Sequence, residues 1–204
     1  SIEHSLRQAL EREEFCLYFQ PIIDVASGRV VEVEALVRWM HPQQGMIPPI
    51  KFIGIAEETG LIQPIGEWVF WTACRTLAEF NEVGLAGVKM GINISAMQMR
   101  NGNLPILARG AIQALNLNPE DLVFEITESV AMQRPEETVA ILDMLHSMGI
   151  KLAIDDFGTG YSSLSYLKMF PIDHIKLDRS FVDEIGQGGG SSVICDATIG
   201  LAHN

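Results

Sequence analysis

The spacing of apolar residues changes period along the chain, and each period predicts an element. Ile2, Leu6 and Leu10 fall at i, i+4 and i+8, the spacing of an amphipathic first helix. The period then shortens. Residues 15–25 (FCLYFQPIIDV) and 30–39 (VVEVEALVRW) read as strands, and Ala26-Ser27-Gly28-Arg29 between them is a hairpin signal, so the two run antiparallel. Residues 41–49, rich in Pro, Gln and Gly, read as loop. A short helix is expected over 51–58 with Gly60 as its C-cap, and a longer one over 64–82. Strands and helices then alternate: strand 88–94, helix 104–115, strand 122–127, helix 135–148 closed by Gly149. An apolar strand from Ile150 to Ile154 follows, then a short helix at 163–168, a strand at 173–177 and a final helix from Ser191. Gly186-Gln187-Gly188-Gly189-Gly190 reads as a mobile loop; it follows no strand and is no phosphate cradle.

Strands alternating with helices define an α/β fold with a parallel sheet. Glu34, Asn93, Glu125, Asp155 and Lys176 each sit at or near the C-terminal end of a strand. One polar group per βα unit, all at one rim, is the layout of a (β/α) barrel active site. The pattern contains six strands, fewer than a closed barrel of this class carries. The expectation is therefore a barrel whose C-terminal strands are missing from these residues, or an open one whose edge is covered by something else.

Composition narrows the function classes. With 204 residues and 48% hydrophobic content, the chain can bury a full core, and one domain over 1–204 is expected. A formal net charge of −12 argues against wrapping nucleic acid or lying on an anionic membrane. A phosphate ligand remains compatible with that charge if carboxylates hold divalent metal. Cys16, Cys74 and Cys195 lack CxxC spacing and read as buried thiols in a reducing compartment. No apolar run reaches membrane-spanning length and the start is no signal peptide, so a soluble, cytoplasmic domain cut from a longer chain is expected.

The candidate chemistry follows from the strand ends. Ile150 to Gly160 (IKLAIDDFGTG) delivers the paired acids Asp155 and Asp156 into a glycine loop, where two like charges repel unless a cation lies between them. Glu34 interrupts an apolar strand, and an inward carboxylate there is costly unless paired or metal-bound. Asn93 offers a neutral oxygen, Glu125 lies between Phe124 and Ile126, and Glu128 follows that strand closely enough to brace a neighbouring loop. Oxygen donors without His or Cys suit Mg²⁺ or Mn²⁺ rather than zinc. Two such ions sharing Asp155 would form the clamp used for in-line displacement at phosphorus. Lys176, inside an apolar strand, could set or deprotonate the attacking water. The plainer readings stay open. Lys176 could be only an ion-pair partner for Asp155, Asn93 a turn cap and Glu125 the partner of a core lysine. His41, His146 and His174 read as helix or loop residues. Asp156-Phe157-Gly158 matches the kinase DFG by chance, since no kinase glycine loop or HRD accompanies it.

Glu34-Ala35-Leu36 with Arg38-Trp39 resembles the signature of EAL domains, the cyclic di-GMP phosphodiesterases. The resemblance continues through Tyr18-Phe19-Gln20-Pro21-Ile22, Phe52-Ile53, Ala56-Glu57, Gly60-Leu61-Ile62, Asn93-Ile94-Ser95 and Glu125-Ile126-Thr127-Glu128. It then takes in Asp155 to Leu164 and Ile175-Lys176-Leu177-Asp178, in the family's order over nearly the whole chain. It implies a modified TIM barrel with an antiparallel first strand, and hydrolysis of one phosphodiester of cyclic di-GMP to linear 5′-pGpG. By motif position, Glu34, Asn93, Glu125 and Asp155 would hold one metal, with Asp155 and Asp156 shared with a second. Lys176 would set the water. Gln20, Leu36 and Arg38 would contact substrate, Arg38 through phosphate, and Asp178 would lie near the guanine.

The resemblance further implies that Asp156 to Ser163 is the mobile loop coupling dimerisation to metal binding. Glu128 would anchor it, and a homodimer would form through this loop and the following helix. A sensory or GGDEF domain upstream is implied as well. The family's further glutamate on the seventh strand and glutamine near the eighth fall beyond Asn204, which leaves open the activity of residues 1–204 alone. The leading reading is a metal-dependent phosphodiesterase. The runner-up is a non-catalytic cyclic di-GMP receptor or regulatory dimerisation module.

Overall fold

The computed structural model describes residues 2–159, 164–183 and 191–202. The expected glycine-rich loop at 186–190 and the part of the Asp156 loop at 160–163 lie outside them. The chain divides into two compact units, Ser1–Leu122 and Val123–Asn204.

The first unit opens with α1 (Ile2–Ala9), which buries Leu6 and Ala9. β1 (Phe15–Ile23) and β2 (Val30–His41) form the expected antiparallel hairpin, with Phe15 opposite Trp39 and Gln20 opposite Glu34. A short β3 (Gly45–Ile47) folds back on β2, so part of the stretch read as loop is a third strand. His41 accordingly ends a strand, and its Nδ1 accepts from the Gln43 and Gln44 amides of that turn at 3.1 and 3.3 Å. A 3₁₀ turn (Pro49–Lys51) leads into α2 (Ile53–Thr59), which Gly60 caps in the left-handed conformation at φ 77°. α3 (Ile62–Glu82), β4 (Lys89–Asn93), α4 (Ala96–Arg100) and α5 (Leu104–Leu115) follow, and β4 pairs parallel with β2.

The core of this unit is an aromatic cluster. Phe15, Trp39 and Phe52 lie 5.7–6.1 Å apart, centroid to centroid, with Leu6, Ile47, Ala56, Ile65 and Val69 around them. Trp39 is fully buried, and its indole N–H donates to the buried Glu14 carboxylate at 2.8 Å. That bond matters because a buried polar group without a partner is costly.

In the second unit β5 (Leu122–Thr127), β6 (Lys151–Phe157) and β7 (His174–Leu177) are consecutive parallel neighbours. α6 (Glu128–Gln133) and α7 (Pro135–Ser147) separate β5 from β6. α8 (Leu164–Leu167) precedes β7, and α9 (Arg179–Asp183) and α10 (Ser191–Ala202) follow it. Leu152, Ala153 and Ile154 are buried in succession, as expected for a strand covered on both faces. β6 does not stop at the acids: it runs through Asp155 and Asp156 to Phe157, with a register irregularity between Ile154 and Phe157. At the opposite end Asp173 joins β6 and β7. Its carboxylate accepts from the Leu152 amide at 2.9 Å and from Lys151 Nζ at 3.2 Å.

Trp39→Phe keeps an aromatic ring, though a smaller one, and strands Glu14 without its indole donor. It is expected to cost about 1–3 kcal/mol of stability, read as a lower urea midpoint; an unchanged midpoint contradicts the role given to this bond.

Candidate active site

The pleat of β2 sorts its side chains. Val33, Ala35 and Trp39 are buried, while Glu34, Leu36 and Arg38, two residues apart, line the opposite face and are half-buried. The Asn93 side-chain amide, at the end of β4, donates to Glu34 Oε1 at 2.7 Å. The structure therefore joins Glu34 and Asn93 as one oxygen-rich pair. Because Asn93 donates through Nδ2, its Oδ1 is the lone-pair end. Gln20 lies on β1 directly across from Glu34 and is exposed. The Arg38 guanidinium donates from Nη1 to the Val37 carbonyl at 2.9 Å and lies over the Tyr18 ring, 5.5 Å from its centroid.

The second unit brings together Glu125, Asp155 and Lys176, from β5, β6 and β7. The Glu125 side chain is fully buried, and Lys176 Nζ donates to its Oε2. The same Nζ is 4.0 Å from Asp155 Oδ1. Carboxylate oxygens of Glu125 and Asp155 lie within 4.8 Å of each other. Two hard oxygen donors at that spacing suit a divalent cation. Of the plainer readings, both ion pairs hold: Lys176 is the core lysine that meets Glu125, and it also pairs with Asp155.

Asp156 is exposed and takes the left-handed conformation, φ 52°, which a residue with a β-carbon rarely adopts. Two residues on, Gly158 has φ 99°, and a β-carbon there would come within 2.7 Å of the Phe181 ring. The Gly158 amide donates to Glu128 Oε2 at 2.9 Å, and Glu128 is itself buried at the start of α6. Glu128 thus meets this loop through the Gly158 backbone amide. Asp178 caps α9, accepting from the Ser180 amide at 2.8 Å and from the Ser180 hydroxyl. Those two bonds, the hydroxyl's first, hold its carboxyl below the usual range.

Three short helices, α4, α6 and α9, were not expected from periodicity. Each has a capping signal at the strand end before it. Ser95 and Gln98 form a full capping box, Thr127 accepts from the Val130 amide, and Asp178 accepts from Ser180. The Tyr18–Arg38 contact joins two strands diagonally and leaves no local pattern in the sequence.

The chain matches the family model described as EAL domain over residues 3–204, so it belongs to the EAL family. Its fold is the α/β, TIM-barrel-like fold of those domains with an antiparallel first strand. Among relatives, it is 43% identical over 200 residues to the bifunctional diguanylate cyclase/cyclic di-GMP phosphodiesterase MucR of Pseudomonas aeruginosa. That alignment covers 98% of this chain and 29% of MucR. It is 38% identical to the cyclic di-GMP phosphodiesterase PdeR of Escherichia coli, covering 99% of this chain and 30% of PdeR. A structure described as PaMucR phosphodiesterase in complex with c-di-GMP superposes with a TM-score of 0.95 at 42% identity. It is matched over 99% of this chain and 82% of its own. The FimX EAL domain of P. aeruginosa bound to c-di-GMP gives 0.88 at 30% identity, over 100% of this chain and 81% of its own. The chain spans less than a third of the length of the curated relatives it matches. Among the described residues, no helix is long and apolar enough to cross a membrane.

Glu128→Ala removes the acceptor of the Gly158 amide. Exchange of that amide with solvent deuterium is expected to accelerate about tenfold or more, the worth of a hydrogen bond to a charged group. An unchanged exchange rate would show that Glu128 does not hold the loop.

Proposed function

We propose that this chain carries a metal-dependent cyclic di-GMP phosphodiesterase activity, hydrolysing one phosphodiester to give linear 5′-pGpG. The observation that carries the reading is the grouping of Glu125, Asp155 and Lys176 on three successive parallel strands of an EAL-family chain. In this reading Glu34, Asn93, Glu125 and Asp155 hold one Mg²⁺ or Mn²⁺, and Asp155 and Asp156 share a second. The donor set is all oxygen, which fits hard cations. When bound, such ions stabilise charge developing on the phosphoryl oxygens and lower the pKa of water.

The chain's own residues do the rest. Arg38 binds a phosphate through its N–H fork, Gln20 and Leu36 seat the nucleotide, and Asp178 accepts at the guanine end. Lys176 donates from Nζ to the attacking water and so sets its approach in line with the leaving oxygen. The new bond joins water oxygen to phosphorus, the P–O3′ bond breaks, and a water proton ends on the 3′ oxygen. The loop that follows Asp156, anchored by Glu128, and the helix after it would mediate a homodimer, with input from a sensory or GGDEF domain upstream.

Incubation with cyclic di-GMP and Mg²⁺ or Mn²⁺ is expected to yield pGpG, detected chromatographically, and EDTA to abolish it. Glu34→Ala should abolish hydrolysis with the fold intact, and retained turnover would refute the ligand set. Lys176→Ala should lower kcat by about 10²–10⁴ with little change in binding. Tight binding without any pGpG would establish the receptor instead.

A further inference from the structure

The geometry points to Tyr18 as the residue that positions Arg38 for a nucleotide phosphate, an inference resting on the cyclic di-GMP reading above. Cross-strand register supplies the contact. Tyr18 pairs with Leu36 and Cys16 with Arg38, so Tyr18 and Arg38 are diagonal neighbours across the hairpin, within reach of long side chains. The guanidinium carbon is 5.5 Å from the ring centroid, inside the range in which a cation is attracted to an aromatic face.

A core role does not account for the ring. Phe19, next in sequence, faces the other way and meets Phe80 of α3 at 6.1 Å. Tyr18 is 49% exposed and shares its face of β1 with Gln20, away from that packing. Its ring therefore contributes little to the core.

Arginine carries several rotatable bonds, and fixing such a side chain on binding weakens affinity by about two- to twelvefold. Here two contacts fix it beforehand. The Val37 carbonyl takes Nη1 at 2.9 Å, and the guanidinium carbon lies over the Tyr18 ring, 5.5 Å from its centroid. The other N–H groups are left to donate to phosphate oxygens in the bidentate manner a planar fork allows. Tyr18 touches no reacting atom in this scheme; it acts through Arg38.

The test is a double-mutant cycle on the equilibrium Kd for cyclic di-GMP, measured calorimetrically with Ca²⁺ in place of Mg²⁺. Tyr18→Leu is expected to raise Kd about three- to tenfold. Tyr18→Phe, which keeps the ring, should bind as the unaltered chain does, and in an Arg38→Ala background Tyr18→Leu should add nothing. If Tyr18→Leu lowers the urea midpoint, Tyr18→Thr, a good strand former, carries the same measurement. A Tyr18→Leu loss that persists without Arg38 means that the ring touches the ligand itself and overturns the inference. So does a Tyr18→Phe variant as weak as Tyr18→Leu, or no Tyr18 effect at all. Failure of the unaltered chain to bind cyclic di-GMP overturns the functional reading, and this inference with it.

Discussion

The two-residue period of β2 decides where nearly every important side chain of the first unit goes. Val33, Ala35 and Trp39 enter the core because Glu34, Leu36 and Arg38 do not. A slip of one residue would drive Glu34 and Arg38 into the aromatic cluster and expel Trp39, exchanging both sets at once. Several features forbid it. The hairpin pairs β2 along the length of β1, β3 clamps its far end, and the Trp39 indole is tied to Glu14. Core packing in the first unit and the placement of Glu34, Leu36 and Arg38 are consequences of one register, so neither can be altered without the other.

The second unit faces a different problem. A fully buried carboxylate, Glu125, sits on a strand whose neighbours are apolar, and Lys176 answers its charge. Buried ion pairs seldom stabilise a fold beyond what an apolar pair of equal volume would, because desolvation offsets the Coulomb gain. Stability therefore does not explain this one. The proposed activity would give it a reason, because Lys176 balances the charge of Glu125 without offering a metal-ligating atom of its own. The left-handed Asp156, the register irregularity beside it and the Glu128–Gly158 bond all lie at the C-terminal end of β6. Residues held in unfavourable backbone conformations tend to cluster where geometry serves chemistry.

Much of this was legible in the sequence. The hairpin, the alternating elements and their bounds at 104–115 and 122–127 follow from periodicity, and the family motifs point to Glu34, Asn93, Glu125, Asp155 and Lys176. What escaped is physically of two kinds. The helices α4, α6 and α9 have 5, 6 and 5 residues, too short to show a period, and only their caps at Ser95, Thr127 and Asp178 betray them. The three-residue β3 (Gly45–Ile47) is likewise too short to show a period, and the remaining misses are pairwise. Neither the Asp173 tie to Leu152 and Lys151 nor the ring of Tyr18 beneath Arg38 leaves a local pattern, because register brings those residues together only after the strands pair.

Charge gives the reason to favour a metal enzyme over a metal-free receptor. The chain is acidic, at −12, and cyclic di-GMP carries two phosphodiester charges of the same sign. Within the proposed residue set the carboxylates Glu34, Glu125, Asp155, Asp156 and Asp178 outnumber the cations Arg38 and Lys176. Without metal, the ligand would approach a surplus of its own charge, and the low dielectric around a buried group such as Glu125 would strengthen that repulsion. Under the proposed reading, divalent cations held by such oxygens would offset that surplus and favour the phosphate. A receptor for this ligand would gain affinity by losing those acids, yet every one of them is present.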